Sequence, residues 1–481
     1  MRKVICLIFI IIFIVCLTAG TALADGPPAN VTSNAKMVTT LFTALIAAVF
    51  IVFLIMLLSR DNSEPISGKR NLVLPLALFI AIALALRVVI AISFDGYASD
   101  IGCFKGWSVA AFEQGPANFY TSGMFSDYPP GYMYLLYGLG WIRNVLGISG
   151  QSAVFTLIIK IPSMIAEVVT AIILYRVGSK QIGKLFGLLC SALVLFNPAM
   201  FFNSSAWGQI DAVFVLFIVL TLLYLRKENY LLGALFFAIA ILIKPQAIMF
   251  TPVIALVYFY ALFKKGQIGK ALLGIFGGAV IFAATVFLAS LPFKGSQEPL
   301  WIIGKYIDAA GTYSYWSLNA FNLYALVGKN FVSSSQLFLG LGYQIWIMIS
   351  VGLICITVIV LQWRARAQKP IFELSSFLIV SVYMLVPAMH ERYIIPVCIC
   401  LIFAFAFTRD KATLFFAGAF TITALLGQMF TLYSNSVVAP AVPTFVVSAV
   451  NMALYLAFAF LTVRKLGSSK FLIKAPAQSG H

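Results

Sequence analysis

Apolar runs close to 20 residues long recur along almost the whole chain, separated by short polar or basic joints. A helix of that length covers the roughly 30 Å hydrocarbon core of a bilayer. After the first 24 residues the pattern predicts spans near 37–58, 72–93, 153–176, 185–203, 209–225, 230–243, 246–264, 271–292, 337–362, 372–388, 393–408, 412–433 and 442–463. A β-barrel is excluded, because its strands read as segments of about 10 residues with alternating polarity. The 230–243 run is short and is followed by Lys244-Pro245, the pattern of a broken or half-crossing helix. The Tyr- and Trp-rich stretch YPPGYMYLLYGLGWI, within an apolar region extending to about 147, reads as an interfacial or re-entrant helix. The expected fold is therefore an all-α polytopic membrane protein with about 13 transmembrane helices. A single domain covers 25–481, with large loops at about 94–152 and 293–336.

Residues 1–24 carry a basic start, an apolar stretch and Ala22-Leu23-Ala24, and read as a signal peptide; the alternative is an uncleaved first helix.

Composition sharpens this picture. With 62% hydrophobic and 10% charged residues, the chain cannot cover the surface of a soluble domain. The net charge of +17 does not point to nucleic acid, because Lys and Arg fall in the joints between apolar runs rather than in one patch. In those joints they set topology and meet anionic headgroups. With residues 25–36 outside, twenty basic residues fall inside and nine outside, provided that the 132–147 stretch does not cross. Both large loops then lie outside. The cysteines show no disulfide framework, since most lie in apolar runs and Cys103 is alone in a polar loop. The histidines are His390 and His481, so no metal site and no cofactor are expected.

Six polar clusters interrupt the apolar pattern: FDGYASDIGCFKGW (94–107), DYPPGY (127–132), NSSAWGQID (203–211), IKPQ (243–246), YSYWSLNAFN (313–322) and MHERY (389–393). Each has an ordinary reading. Asp211 suits a helix N-terminus, and Lys244 can snorkel to the headgroups. Asn319 and Asn322 can bond loop backbone, and His390-Glu391-Arg392 can form an ionic cap. Arg87, inside an apolar run, must face protein or a water cavity. The threading nevertheless puts all six clusters at one membrane face, as a functional site would require. Carboxylates there can take a proton from an incoming hydroxyl. The cations Lys244 and Arg392, with Arg87 and Lys160, suit a phosphate at headgroup depth. Together these groups describe sugar transfer from a lipid-linked phosphate.

The motif order supports a resemblance. Asp100 stands seven residues before Trp107, followed by Tyr128-Pro129-Pro130, Trp207-Gly208-Gln209-Ile210-Asp211, Lys244-Pro245-Gln246 and His390-Glu391-Arg392. Over about 72–408 this order resembles the GT-C superfamily of polytopic glycosyltransferases. It is most similar to dolichyl-phosphate-glucose glucosyltransferases and to bacterial relatives of GPI mannosyltransferases. The resemblance implies inverting, metal-independent transfer of a hexose from a polyprenyl-phosphate sugar to a lipid-linked or cell-envelope glycan. It makes Asp100 the general base and puts His390 and Arg392 at the donor phosphate, where Lys244 and Arg87 are further candidates. Asp95, Trp107, Tyr128, Trp207, Gln209, Asp211, Gln246, Asn319, Asn322 and Glu391 are the candidate substrate-binding residues. Asp95 is a rival base nearer the membrane end, and Asp127 a weaker one. The extra span at 37–58 departs from the family pattern. The absence of a Trp-Trp-Asp motif and of a soluble domain argues against whole-glycan transfer to asparagine. The expected location is a bacterial plasma membrane with the site facing outside, or the endoplasmic reticulum in a eukaryote. A lipid-sugar transporter or flippase is the alternative, although such proteins place binding groups near the midplane and often carry internal repeats.

Overall fold

Leu, Ile, Val, Phe and Ala fill runs too long for any other regular structure in lipid, where each backbone polar group must be paired within its own segment. The computed structural model describes residues 33–60, 71–263, 266, 268–365, 370–434 and 436–467. The expected signal peptide, most of the first inner loop and the basic tail lie outside the described residues.

A helical segment coincides with every expected span. Eight helices among the described residues are long and apolar enough to cross a membrane: Ala35–Ser59, Val73–Ser93, Ala153–Gln181, Lys184–Trp207, Ile268–Phe293, Tyr343–Ala365, Lys411–Leu432 and Ala441–Leu466. The others are shorter: Asp211–Arg226, Tyr230–Ile243, Pro245–Ala261, Ile371–Leu385 and Ile395–Thr408. Thirteen apolar runs thus yield eight full-length crossings by length and composition. For two of the short helices the reason is visible at Lys244, whose extended backbone (φ −148°, ψ 127°) ends the Tyr230–Ile243 helix. Pro245 has no N–H to continue the ladder and disfavours helical geometry in the residue before it. The chain restarts as a 3₁₀ turn over Pro245–Phe250.

Burial separates the helices into layers. Ile395–Thr408 and Lys411–Leu432 are enclosed by protein, whereas Ile268–Ser290 exposes Leu273 and Phe276, about 70% accessible, as a lipid-facing helix does.

The helix ends form two chemically different faces. Arg409 donates to the Gln181 carbonyl (3.4 Å), and Lys465 pairs with Asp410 (3.1 Å). Lys160, on the same helix as Gln181, lies 21 residues or about 30 Å away. Lys160 joins the 94–107 and 203–211 clusters, and the other four meet them through Tyr128, Lys244, Arg392 and Tyr313. The Pro130–Val145 helix packs on Ala98–Glu113 at Gly140, where a Cβ would stand 2.4 Å from the Ser108 carbonyl. The Ser108 hydroxyl donates to Leu136 O (2.7 Å) across this contact. The second large loop contains the helix Trp301–Gly311 and a short parallel pair, β1 (Ser317–Leu318) with β2 (Met389–His390). This pair, in register Ser317↔Met389 and Leu318↔His390, joins two polar clusters that lie far apart in sequence.

Candidate functional site

The site is built outward from Asp100. The Val73–Ser93 helix ends at Phe94, and the chain reverses through Gly96 (φ +105°). A side chain at Gly96 would be strained by that φ and would stand 2.6 Å from the Trp207 carbonyl. The same carbonyl accepts from Tyr97 N (3.0 Å), and the next helix then begins with Asp100 in its first turn. A carboxylate is favoured there by the helix dipole. Asp100 is half-buried, and its Oδ2 accepts from Trp207 Nε1 (2.7 Å) and Gln209 Nε2. Both donors come from one device: the π-helical turn Phe202–Trp207, closed by Gly208 in the left-handed region (φ +90°). Among the described residues Asp100 Oδ1 accepts no hydrogen bond.

A buried polar chain supports these donors. Gln209 Oε1 accepts from Tyr128 OH and Lys244 Nζ, each at 3.4 Å. Lys244 forms an ion pair with Asp211, whose other oxygen accepts from Asn203 Nδ2 (3.0 Å). Asn203 also donates to Gln428 Oε1 (3.1 Å). Ser163 fixes the Gln209 backbone through its carbonyl (2.7 Å). Lys160 donates to the carbonyls of Phe94 (2.5 Å) and Ser205 (2.9 Å), which ties the end of the Val73–Ser93 helix to the π-helical turn.

The His390-Glu391-Arg392 run closes the opposite side. The Arg392 guanidinium pairs with Glu391 (2.7 Å) and lies 5.9 Å from the centre of the Trp207 ring that holds Asp100. The His390 ring packs between Tyr313 (4.9 Å) and Tyr393 (5.1 Å), and Gln246 Nε2 donates to Tyr393 OH (2.7 Å). Three buried atoms grouped here lack a partner among the described residues: His390 Nε2, Arg392 Nε and Gln246 Oε1. Buried polar atoms are nearly always paired, so this grouping marks a place where a polar ligand can complete the network. Burial, with the charges of Arg392 and Lys244, holds His390 well below the usual imidazole range, so the ring is neutral. Burial raises the Glu391 carboxyl against the pull of Arg392. For Arg392, burial opposes the charge, but Glu391 and Asp100 outweigh it and hold the group well above its ordinary value.

Several expected site residues have their polar groups engaged elsewhere. Arg87 forms a buried pair with Glu167 (Nε to Oε2, 2.6 Å) and packs over Phe201. Asn319 bonds Val437 O, Ala439 N and the Asn330 side chain, and Asn322 caps the turn Leu323–Leu326 while donating to Tyr383 O. Trp107 donates to Phe125 O (2.7 Å) and stacks near Tyr128, as a wall of the loop. Asp95 is exposed and does not join the Trp207–Gln209 pair. Residues not named individually as candidates also come into the site: Tyr313, which opens the 313–322 cluster, and Lys305 and Gln428, which lie outside all six clusters. Gln428 is visible in the sequence as a lone amide in an apolar run, and Tyr313 as a member of a polar cluster, whereas Lys305 looks like an ordinary loop residue. Among the described residues no group of three or more His, Cys, Asp or Glu side chains is placed to hold a metal ion.

The chain matches the family model for glycosyltransferase family 87 over residues 125–387. This span includes Asp127, Trp207, Gln209, Asp211, Lys244 and Gln246, and it stops short of Asp100 on one side and of His390–Arg392 on the other. No curated protein matches the chain. Since the matched span exceeds half the chain and falls on an apolar helical membrane fold, the protein belongs to glycosyltransferase family 87.

Proposed function

We propose that this glycosyltransferase takes a hexose from a polyprenyl-phosphate sugar and passes it to a lipid-linked or cell-envelope glycan. The reaction takes place at the extracytoplasmic face, with inversion and without a metal ion. The observation that carries the reading is the juxtaposition of Asp100, held through Oδ2 by Trp207 and Gln209, with the Arg392 guanidinium beside the Trp207 ring. Asp100 Oδ1 takes the proton of the acceptor hydroxyl, and the acceptor oxygen attacks the anomeric carbon. The bond to the phosphate oxygen breaks on the opposite side. Arg392 and the neutral His390 stabilise the departing phosphate, Arg392 by charge and His390 by a hydrogen bond from its ring. General-base catalysis contributes roughly 10²–10⁴-fold, and preorganised donors at the leaving oxygen contribute about 10²–10³-fold each.

Lys244 acts through Gln209 in this reading, because its ammonium is already paired with Asp211. Arg87, paired with Glu167, belongs to the supporting frame. The likeness to GT-C glucosyltransferases and mannosyltransferases supports the donor class, and the segregation of basic residues to the other helix ends supports the outward orientation.

The test is consumption of labelled polyprenyl-phosphate mannose, glucose and galactose by membranes containing the protein, with native envelope extract as acceptor and with and without a chelator. Wild type consumes one donor in either condition, and Asp100→Asn lowers the rate at least about 100-fold. Full activity of Asp100→Asn removes Asp100 as the base, and loss of wild-type activity in chelator removes the metal-free mechanism.

A further inference from the structure

The loop 120–128 is pinned almost entirely through its backbone. Trp107 donates to Phe125 O (2.7 Å), Tyr120 OH donates to Tyr128 O (2.7 Å), and Lys305 donates to Ser126 O. The Lys305 ammonium also lies over the Tyr120 ring (5.2 Å). Within this loop the Asp127 carboxylate is half-buried, yet among the described residues its one hydrogen bond is a long one, from Tyr313 OH to Oδ2 (3.3 Å). The nearby Lys305 ammonium donates to the loop carbonyl and acts on the carboxylate through charge alone. The other side of Tyr313 packs edge-on against His390 (4.9 Å), whose Nε2 has no partner among the described residues. The next residue, Tyr128, donates to the amide of Gln209 that holds Asp100. Asp127, Tyr313 and His390 therefore form a continuous polar wall leading to the group proposed as base.

The charge balance of this wall limits its ligand. Asp127 repels an anion, and Lys305 and Arg392 repel a cation. A carboxylate offers about four lone-pair directions and no proton. A phenol and a neutral imidazole can each donate or accept. The part of the ligand that faces Asp127 and Tyr313 is therefore neutral and rich in hydroxyls, and it turns two adjacent O–H donors toward the carboxylate.

We propose that Asp127, with Tyr313 beside it, binds hydroxyls of the transferred hexose and sets which epimer is accepted. This rests on the glycosyl-transfer reading above and adds the sugar-binding wall to it. Discrimination is expected to be strong, because an epimer that turns its hydroxyl away leaves a preorganised acceptor unpaired.

The experiment separates sugar binding from lipid chemistry. The full chain, purified in detergent, is titrated with methyl mannoside, methyl glucoside and methyl galactoside, and binding is followed by saturation-transfer NMR. Wild type is expected to bind one epimer at least about tenfold more tightly than another. Asp127→Asn is expected to weaken the preferred epimer about tenfold and to flatten the preference, as loss of one charged hydrogen bond does. Tyr313→Phe is expected to weaken it severalfold with the preference retained. Thermal midpoints of both variants near wild type show that the fold is kept. Equal affinities for wild type and Asp127→Asn, or no binding of any epimer to wild type, overturn the proposal. If sugar binding depends on Asp127 while no polyprenyl-phosphate hexose is consumed, the sugar wall stands and the donor reading fails alone.

Discussion

Breaking the Lys244–Asp211 pair tests how the site is held together. Lys244 and Asp211 are 1% and 2% exposed, so neither charge can be rescued by water. Lys244→Met leaves a buried carboxylate with one remaining donor, Asn203. Asp211→Asn leaves a buried ammonium whose remaining partner is Gln209 Oε1 at 3.4 Å. Removing one member of a buried pair costs about 3–5 kcal/mol. The double variant buries neither charge, so its loss should fall short of the sum of the single losses by about 2–3 kcal/mol. Thermal denaturation of the protein in nanodiscs reads this as a midpoint several degrees lower in each single variant, with the double variant recovering part of the drop. In the transfer assay Lys244→Met should lower kcat with little change in donor KM, because Gln209 then positions Asp100 less well. Additive losses in the cycle would refute the pairing. A raised donor KM with unchanged kcat would move Lys244 from the support of Gln209 to the donor phosphate.

Trp207→Phe keeps a ring between Tyr97 and Arg392 but removes the donor to Asp100; kcat should fall about tenfold with the donor KM nearly unchanged, and an unaltered kcat would show that the bond is dispensable. Gly140→Val forces apart the Ala98–Glu113 and Pro130–Val145 helices at Ser108; it should cost roughly 1–3 kcal/mol and slow transfer, as read by thermal midpoint and initial rate. His390 is held below its ordinary value of 6.5, so the unfolded chain binds the extra proton first as pH falls. The stability linked to this group is complete above about pH 6.5 and is lost as pH falls toward the folded value. Glu391, shifted upward from 4.5, contributes with the opposite sign. The difference between wild type and His390→Gln should therefore isolate the imidazole: melting curves from pH 7 to 5 should fall more steeply for wild type, and parallel curves would remove His390 from the linkage.

Much of the architecture follows from the sequence alone, because in lipid a backbone has few solutions. Runs of apolar residues without alternation must be helices, and Lys244-Pro245 must break one, since proline removes a donor wherever it stands. Trp207-Gly208-Gln209 and His390-Glu391-Arg392 stood out for a related reason: polar groups at a membrane boundary need partners. What remained undetermined was which partners they found. Thirteen apolar runs could not reveal that only eight helices reach full crossing length among the described residues, because a short helix is acceptable when other helices enclose it. Lys244, Arg87 and Asn319 have the composition of ligand-binding residues. Only their packing against Asp211, Glu167 and the Val437–Ala439 backbone shows that the two charges are paired and the amide is bonded within the protein. In the other direction, Asp127 and Tyr313 stand in two separate polar clusters of the sequence, and nothing there pairs them; they are joined only when the second large loop folds over the first. Local pattern determines whether a segment can be a helix, whereas a polar group's role depends on neighbours from 33 to 186 residues away, which only the packed chain brings within bonding distance.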